Sequence, residues 1–296
     1  MEPLSFAMPT TSILINNYNN ARYLRECIAS ALDQSQPADE VIVYDDGSTD
    51  NSVEISKSFG AQIKLVEGVR TGLSPCAAQA RAVYEAFSHS SGELVFLLDG
   101  DDRFHREKLA AYTTAFESKP AVVLVQAPMV LIDSNNHLLG TNYNVIKHKE
   151  DYYESTYRLR DVDFYYPTSA LAFARSFLEV MLPLDFSDKI ETAVDTRLGM
   201  AAPLYGKVLA LSQPYADWRR HTGSHSLQSN RYRVQMNETI KRTRIFNRLC
   251  KQRHFPRINI WLNMRFYRQI LRAVAPGFLY SFYYNRVSRR AGGQSQ

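Results

Sequence analysis

Glu93-Leu-Val-Phe-Leu-Leu98 running into Asp99-Gly-Asp-Asp102 decides how this chain is read. The apolar run is too short for a helix and uninterrupted, the pattern of a strand buried on both faces. It ends on three carboxylates within four residues. In open parallel sheets ligands bind beyond the carboxyl ends of the strands, so this end is a candidate site. Clustered like charges repel at close range, and a cation or polar ligand offsets that repulsion. An Asp-x-Asp there presents hard oxygen ligands suited to Mg2+ or Mn2+, with positions left for water and phosphate oxygens.

Upstream, Ser12-Ile-Leu-Ile15 is a strand that runs into the polar stretch Asn16 to Asn20. Leu24, Ile28, Ala31 and Leu32 then recur at helical spacing before Pro37. Glu40-Val-Ile-Val-Tyr44 is a second strand, halted by Asp45-Asp46-Gly47, and Ser48-Thr49-Asp50 offers helix N-caps. Ile63-Lys-Leu-Val66 is a third strand, with a loop through Gly72 and a helix to about Phe87 behind it. Downstream, the pattern predicts a helix over 106–117 and a strand at Ala121-Val-Val-Leu-Val125. Strands alternating with helices imply an α/β fold with a mostly parallel sheet and right-handed crossovers. Asp-Asp-Gly alone also fits plain turn chemistry.

Charge divides the 296-residue chain unevenly. Its formal net charge is +5, yet residues 1–218 carry −11 and residues 219–296 carry +16, with seventeen bases against one acid. Such asymmetry points to an anionic partner for one part. Three scattered cysteines (Cys27, Cys76, Cys250) form neither a disulfide framework nor a metal cluster, which fits a reducing compartment. Residues 1–11 lack the basic and apolar regions of a secretory signal, and no apolar run reaches membrane-spanning length. The expected location is cytoplasmic, soluble or peripheral on the inner face of the membrane.

Ser12-Ile-Leu-Ile-Asn-Asn-Tyr-Asn19, Tyr23-Leu-Arg-Glu-Cys-Ile28, Val41-Ile-Val-Tyr-Asp-Asp-Gly-Ser-Thr-Asp-Asn-Ser52 and Gly92-Glu-Leu-Val-Phe-Leu-Leu-Asp-Gly-Asp-Asp102 resemble glycosyltransferase family 2. The resemblance runs in order over residues 10–226. It implies a GT-A fold, a nucleotide-diphosphate sugar donor (commonly a UDP sugar), a divalent metal (Mn2+ or Mg2+) and inversion at the anomeric carbon. The partners it implies are that donor and a saccharide or lipid-linked saccharide acceptor of the kind used in building cell-surface polysaccharide.

Residue by residue, Asp46 matches the carboxylate that meets the nucleobase, and Asn16 and Tyr18 match positions lining base and ribose. Asp99 matches the first acid of the Asp-x-Asp, near ribose and metal. Asp101 matches the metal ligand bridging the diphosphate, with Asp102 an adjacent candidate. Ala77-Ala-Gln-Ala-Arg81 departs from the usual Arg-Asn, leaving Gln79 as the candidate replacement.

Tyr166-Pro-Thr-Ser-Ala170 and Phe173-Ala-Arg-Ser176 resemble the acceptor side. Within Ala193-Val-Asp-Thr-Arg-Leu198, Asp195 matches the catalytic base, with Val194 in place of the usual acidic neighbour; the alternative is a carboxylate facing a helix N-terminus. Trp218-Arg-Arg-His221 and Gly223-Ser-His-Ser226 resemble the closing loop over the diphosphate. Arg219 and Arg220 are thus donor-side candidates, and His221 is either a third metal ligand or a structural histidine.

The remaining stretch, 227–296, is expected to be a basic helical extension. Val234, Met236, Ile240, Ile245 and Leu249 interleave with cations over 231–251, and a second amphipathic helix is expected over 257–274. There Ile260, Met264, Tyr267, Leu271 and Val274 share one face, with Arg265, Arg268 and Arg272 on another. Pro276-Gly277 precedes the aromatic cluster Phe278-Leu-Tyr-Ser-Phe-Tyr-Tyr284. This resembles an interfacial segment for an anionic membrane surface. Packing on the acidic body is the plainer alternative, and nucleic acid the least favoured partner. A non-catalytic scaffold using the tail to bind a membrane or protein stands as the rival function.

Overall fold

The computed structural model describes residues 8–142, 152–162, 165–221, 232–263, 266–267 and 270. Its main sheet has seven strands in the order β10-β6-β9-β4-β1-β2-β3. These are β1 (Thr11–Asn17), β2 (Glu40–Asp45), β3 (Lys64–Glu67), β4 (Leu94–Asp99), β6 (Val122–Gln126), β9 (Leu171–Ala174) and β10 (Lys207–Ala210). The apolar runs read from the sequence are the central strands: Ile13 to Ile15, Val41 to Val43 and Leu94 to Leu98 are buried. At roughly 1.5–3 kcal/mol for each fully buried aliphatic side chain, these strands fix the register of the sheet, and with it the row of polar residues at their ends.

The sheet is parallel except at β9, which lies antiparallel between β4 and β6. That strand was not anticipated. Helix α3 (Pro75–Ser88) packs on β1 and β2, α4 (Lys108–Ser118) on β6, and α7 (Val194–Tyr205) on β6 and β10. Helices α1 (Ala21–Leu32) and α2 (Ser52–Lys57) pack together. Asp50 joins their N-termini, accepting from Ala21 N at 2.9 Å and from Ser52 N at 3.0 Å. The expected cap at 48–50 therefore serves two helices.

A second sheet, order β5-β11-β7-β8, was also not anticipated. It consists of β5 (Arg103–Phe104), β7 (Val130–Asp133), β8 (Leu138–Thr141) and β11 (Ala216–Arg220). Residues 103–104 and 216–220 are the flanks of two candidate motifs, so this small sheet brings the Asp-x-Asp and the Arg-Arg-His segments together. Asp217 pairs with Arg103 in that ladder.

The chain divides into two compact units, 1–154 with 163–224, and 155–162 with 225–296. The second contains helix α8 (Tyr232–Gln252), matching the helix expected over 231–251. The helix expected from 257 does not form over 257–263. That stretch is extended up to a single 3-10 turn, Ile260–Leu262, whose start is capped by the Asn259 side chain accepting from Trp261 N at 3.0 Å. Pro256 lacks the N–H that a helix running in from α8 would need. The expected aromatic cluster at 278–284, the face carrying Arg265, Arg268 and Arg272, and the 223–226 loop lie outside the described residues.

Candidate active site

The ends of β1, β2 and β4 lie side by side: Asn16 is opposite both Tyr44 and Asp99. Asn16 Nδ2 donates to Asp99 Oδ1 at 2.9 Å, and Gln79 Nε2 on α3 donates to the same oxygen at 3.0 Å. Gln79 thus reaches the Asp-x-Asp from the stretch that departs from the family pattern. Gly100 follows because no side chain fits there; a Cβ would lie 2.6 Å from Asn17 Oδ1. Burial pushes the Asp99 carboxyl up to about 7, with repulsion from Asp101 and Asp195 adding to it and the two amide donors opposing it. Asp195, in the first turn of α7, is therefore near enough for its charge to be felt at Asp99. Thr196 donates to Asp195 Oδ1 through its backbone N–H and, at 3.2 Å, through its hydroxyl.

Asp102 faces inward. The Ser169 hydroxyl donates to Oδ2 at 2.6 Å and Arg219 N donates to Oδ1 at 2.8 Å, so each carboxylate oxygen has a protein donor. Burial, reinforced by Asp101 and Asp99, pushes this carboxyl well above its usual range. Ser169 also accepts from Asp99 N at 3.0 Å, tying both ends of the acidic turn to one hydroxyl. Beneath it the buried Lys108 donates to the Ser169 carbonyl at 3.2 Å and lies against the Phe104 and Tyr112 rings. Burial holds the Lys108 ammonium well below its ordinary value.

Arg219 is only 1% exposed. Its guanidinium donates to the Asp101 carbonyl at 2.8 Å and to Glu26 at 2.8 Å, bonds Asn136, and stacks 4.7 Å over Tyr23. This side chain braces the acidic turn. Arg220 is half-buried and lies 4.8 Å over Trp218. His221 Nε2 lies 2.8 Å from Asp101 Oδ2, with its ring 5.0 Å from Tyr23.

At the other end, Asp45 is a turn residue, accepting from Asn17 Nδ2, Ser48 N and Ser48 Oγ, each at 2.7 Å. Gly47, at φ +72°, permits the turn. Asp46 is buried and gripped by Arg70 and Arg81, one on each oxygen. Arg70 also lies 4.2 Å over Tyr18, which is 39% exposed. Neither arginine was singled out from the sequence, since a cation's partner depends on distant chain segments. Ser169 and Glu26 stood only inside quoted segments, the acceptor-like Tyr166–Ala170 and Tyr23–Ile28, with no role given to either.

Among the described residues no three His, Cys, Asp or Glu side chains converge as a preformed metal cage. A hard cation held through one or two carboxylates and substrate phosphates needs none. Asp101 with His221 is the pair that fits this pattern, because Asp102 is engaged with protein donors at both oxygens and Asp99 with two amides at one.

Residues 12–181 match the profile of Glycosyl transferase family 2. An uncharacterized glycosyltransferase of Nostoc sp. is 29% identical over 219 residues, spanning 74% of this chain and 67% of the relative. The chondroitin synthase of Pasteurella multocida is 25% identical over 251 residues, 81% of this chain, but the match spans only 24% of that protein. Among solved structures, Staphylococcus aureus TarS 1–349 with UDP-GlcNAc superposes with a TM-score of 0.57 at 18% identity, covering 90% of this chain and 79% of the other. A mannosyltransferase of Pyrobaculum calidifontis, in complex with GDP-Man and Mn2+, gives 0.56 at 15% identity over 98% and 77%.

Proposed function

The chain belongs to glycosyltransferase family 2 and is a transferase, and on that premise we propose that it moves a sugar from a nucleotide-diphosphate donor, a UDP sugar, to a hydroxyl of a glycan or glycolipid acceptor with inversion. The observation that supports this most directly is that two chain segments, the acidic turn with Asp99 and Asp101 at the end of β4 and the start of α7 with Asp195, bring their carboxylates near enough that the other two raise the Asp99 carboxyl. That arrangement lacks a purpose in a bare scaffold, because uncompensated clustered carboxylates are costly.

In this reading Tyr18 and Asp46, with Asn16, form the nucleoside end. Asp195 takes the proton of the acceptor hydroxyl as its oxygen forms the new bond to the anomeric carbon. The bond from that carbon to the diphosphate oxygen breaks, and the nucleoside diphosphate leaves with the electron pair. A positioned base contributes roughly 10²–10⁴-fold. Mn2+ or Mg2+ on Asp101 and His221 would supply Lewis-acid stabilisation of the leaving diphosphate, worth several kcal/mol. Arg220 is the cation assigned to that leaving group. Arg219, expected beside it, is assigned instead to holding the acidic turn in place, together with Asp102 and Ser169. A panel of UDP and GDP sugars, scored by nucleotide release with Mn2+ and with chelator, tests the reading. Release from one donor class, lost on chelation, is expected; release from no donor, or release from all donors alike and unaffected by chelation, would sink it.

A further inference from the structure

We propose that the second unit carries a docking site for an anionic phospholipid surface, built where α8 meets residues 257–261 and Phe266. A cavity of about 530 Å³ lies there, lined by Ile240, Arg244, Arg257, Ile260, Trp261 and Phe266 among others. Its walls are fixed. Asn247 clasps the backbone of Ile258 with two bonds of 2.8 Å, one to its carbonyl and one from its N–H. Ile258 and Phe266 are buried anchors on either side of the turn.

This framework holds apolar groups out rather than in. Trp261 is 61% exposed, Leu262 55% and Tyr267 43%. Their exposure comes with order: Asn259 caps the turn, and the Trp261 ring meets Phe266 edge-on at 5.7 Å. An ordered patch of large apolar side chains commonly marks an interaction site.

The occupant follows from charge and from side-chain type. Arg244, Lys251, Arg253 and Arg257 are exposed in this unit, and residues 225–296 hold fifteen bases against one acid. Such a surface repels cations and attracts an anionic one. An indole and a phenol flanked by arginines suit the headgroup zone of a bilayer. The aliphatic Leu262 beside them, with Ile240 and Ile260 in the cavity, suits acyl chains better than nucleobases, which stack on aromatic rings. Among the described residues no helix is long and apolar enough to cross a membrane, so the contact proposed is one of lying on the surface.

The test uses the full chain with vesicles of phosphatidylcholine alone and of phosphatidylcholine with phosphatidylglycerol, by co-sedimentation and tryptophan emission. At low salt, binding to the anionic vesicles should be at least ~10-fold tighter than to the neutral ones and should weaken as salt rises. Emission should shift to the blue, and the shift should vanish in Trp261→Phe, which leaves Trp218 in place. The double variant Arg244→Glu, Arg257→Glu should lose at least ~10-fold in anionic-vesicle affinity, with its circular dichroism and nucleotide release on a water-soluble acceptor unchanged. Leu262→Asp should weaken binding likewise. Equal binding to both vesicle types, absence of binding at low salt, tighter binding to a single-stranded oligonucleotide than to vesicles, or folded variants that bind like the parent would each overturn the proposal. Nucleotide release is read separately, so either the docking site or the transferase reading can fail without the other.

Discussion

His221 Nε2 and Asp101 Oδ2 lie 2.8 Å apart although 120 positions separate them in the chain. This pair has the donor chemistry for a divalent cation, so its two halves should fail in different degrees. Asp101→Ala should abolish the difference between donor binding with and without Mn2+. His221→Ala should weaken metal-supported binding by roughly 10–100-fold, the range seen when a metal site loses a supporting group. Titration calorimetry with the nucleotide sugar, in Mn2+ and in chelator, checks both.

Asp195 sits in the first turn of α7 and is the residue proposed as the base. Asp195→Asn should lower kcat by roughly 10²–10⁴-fold while donor affinity stays within about threefold. A single-turnover assay alongside a donor titration separates the two effects. Unchanged turnover would leave Asp195 with only its helix-terminal role.

Asp46 is held by two arginines that differ in exposure: the Arg81 side chain is 23% exposed and that of Arg70 34%. Arg81 also donates to the Val69 carbonyl at 2.8 Å. Arg81→Ala should therefore destabilise the protein by about 1–3 kcal/mol, read by urea unfolding. Arg70→Ala should cost under about 1 kcal/mol but change KM for the donor, because Arg70 spans Asp46 and the Tyr18 ring at the proposed nucleoside end.

Asp217 gives a pH signature. Burial raises its carboxyl, but hydrogen bonds and charge from His105 and Arg103 outweigh that and leave it below the ordinary value. A carboxyl lowered in the folded state binds fewer protons there than in the unfolded chain. Its contribution is therefore complete above the unfolded value of about 3.9 and is lost as pH falls through the folded value. Asp217→Asn should lower Tm clearly at neutral pH, and the gap to the parent should close below about pH 4. Thermal unfolding across that range checks the sign.

The sequence disclosed the central parallel strands β1, β2, β4 and β6 because a strand covered on both faces must be an unbroken apolar run, whereas the short edge strand β10 (Lys207–Ala210) was not anticipated. It disclosed the acidic turn because Asp99-Gly-Asp-Asp102 cannot continue such a strand. What stayed hidden depends on pairing across the chain. Strand β9, Leu171–Ala174, is four residues long and passes directly into α6 (Arg175–Met181), so no alternation develops. Strand β5 has two residues and exists only because β11 lies beside it. The same holds for the site: Gln79, Ser169, Arg70 and Arg81 acquire partners only when segments 20 to 70 positions away arrive. At 257–263 the apolar spacing was genuine, but a side-chain cap and a preceding proline set the backbone.

The place of β9 has a consequence for biosynthesis. It fills the slot between β4 and β6, both of which leave the ribosome earlier. Until Leu171–Ala174 emerges, Leu94 to Phe96 and Leu124 to Gln126 present unpaired backbone edges. At about 5–20 residues per second, the nascent chain spends seconds with two apolar strands open to intermolecular pairing. A ribosome stalled short of residue 171 would therefore display both facing edges open, whereas one stalled past residue 174 and clear of the exit tunnel would have closed them and would leave only the outer edge of β6, which waits for β10.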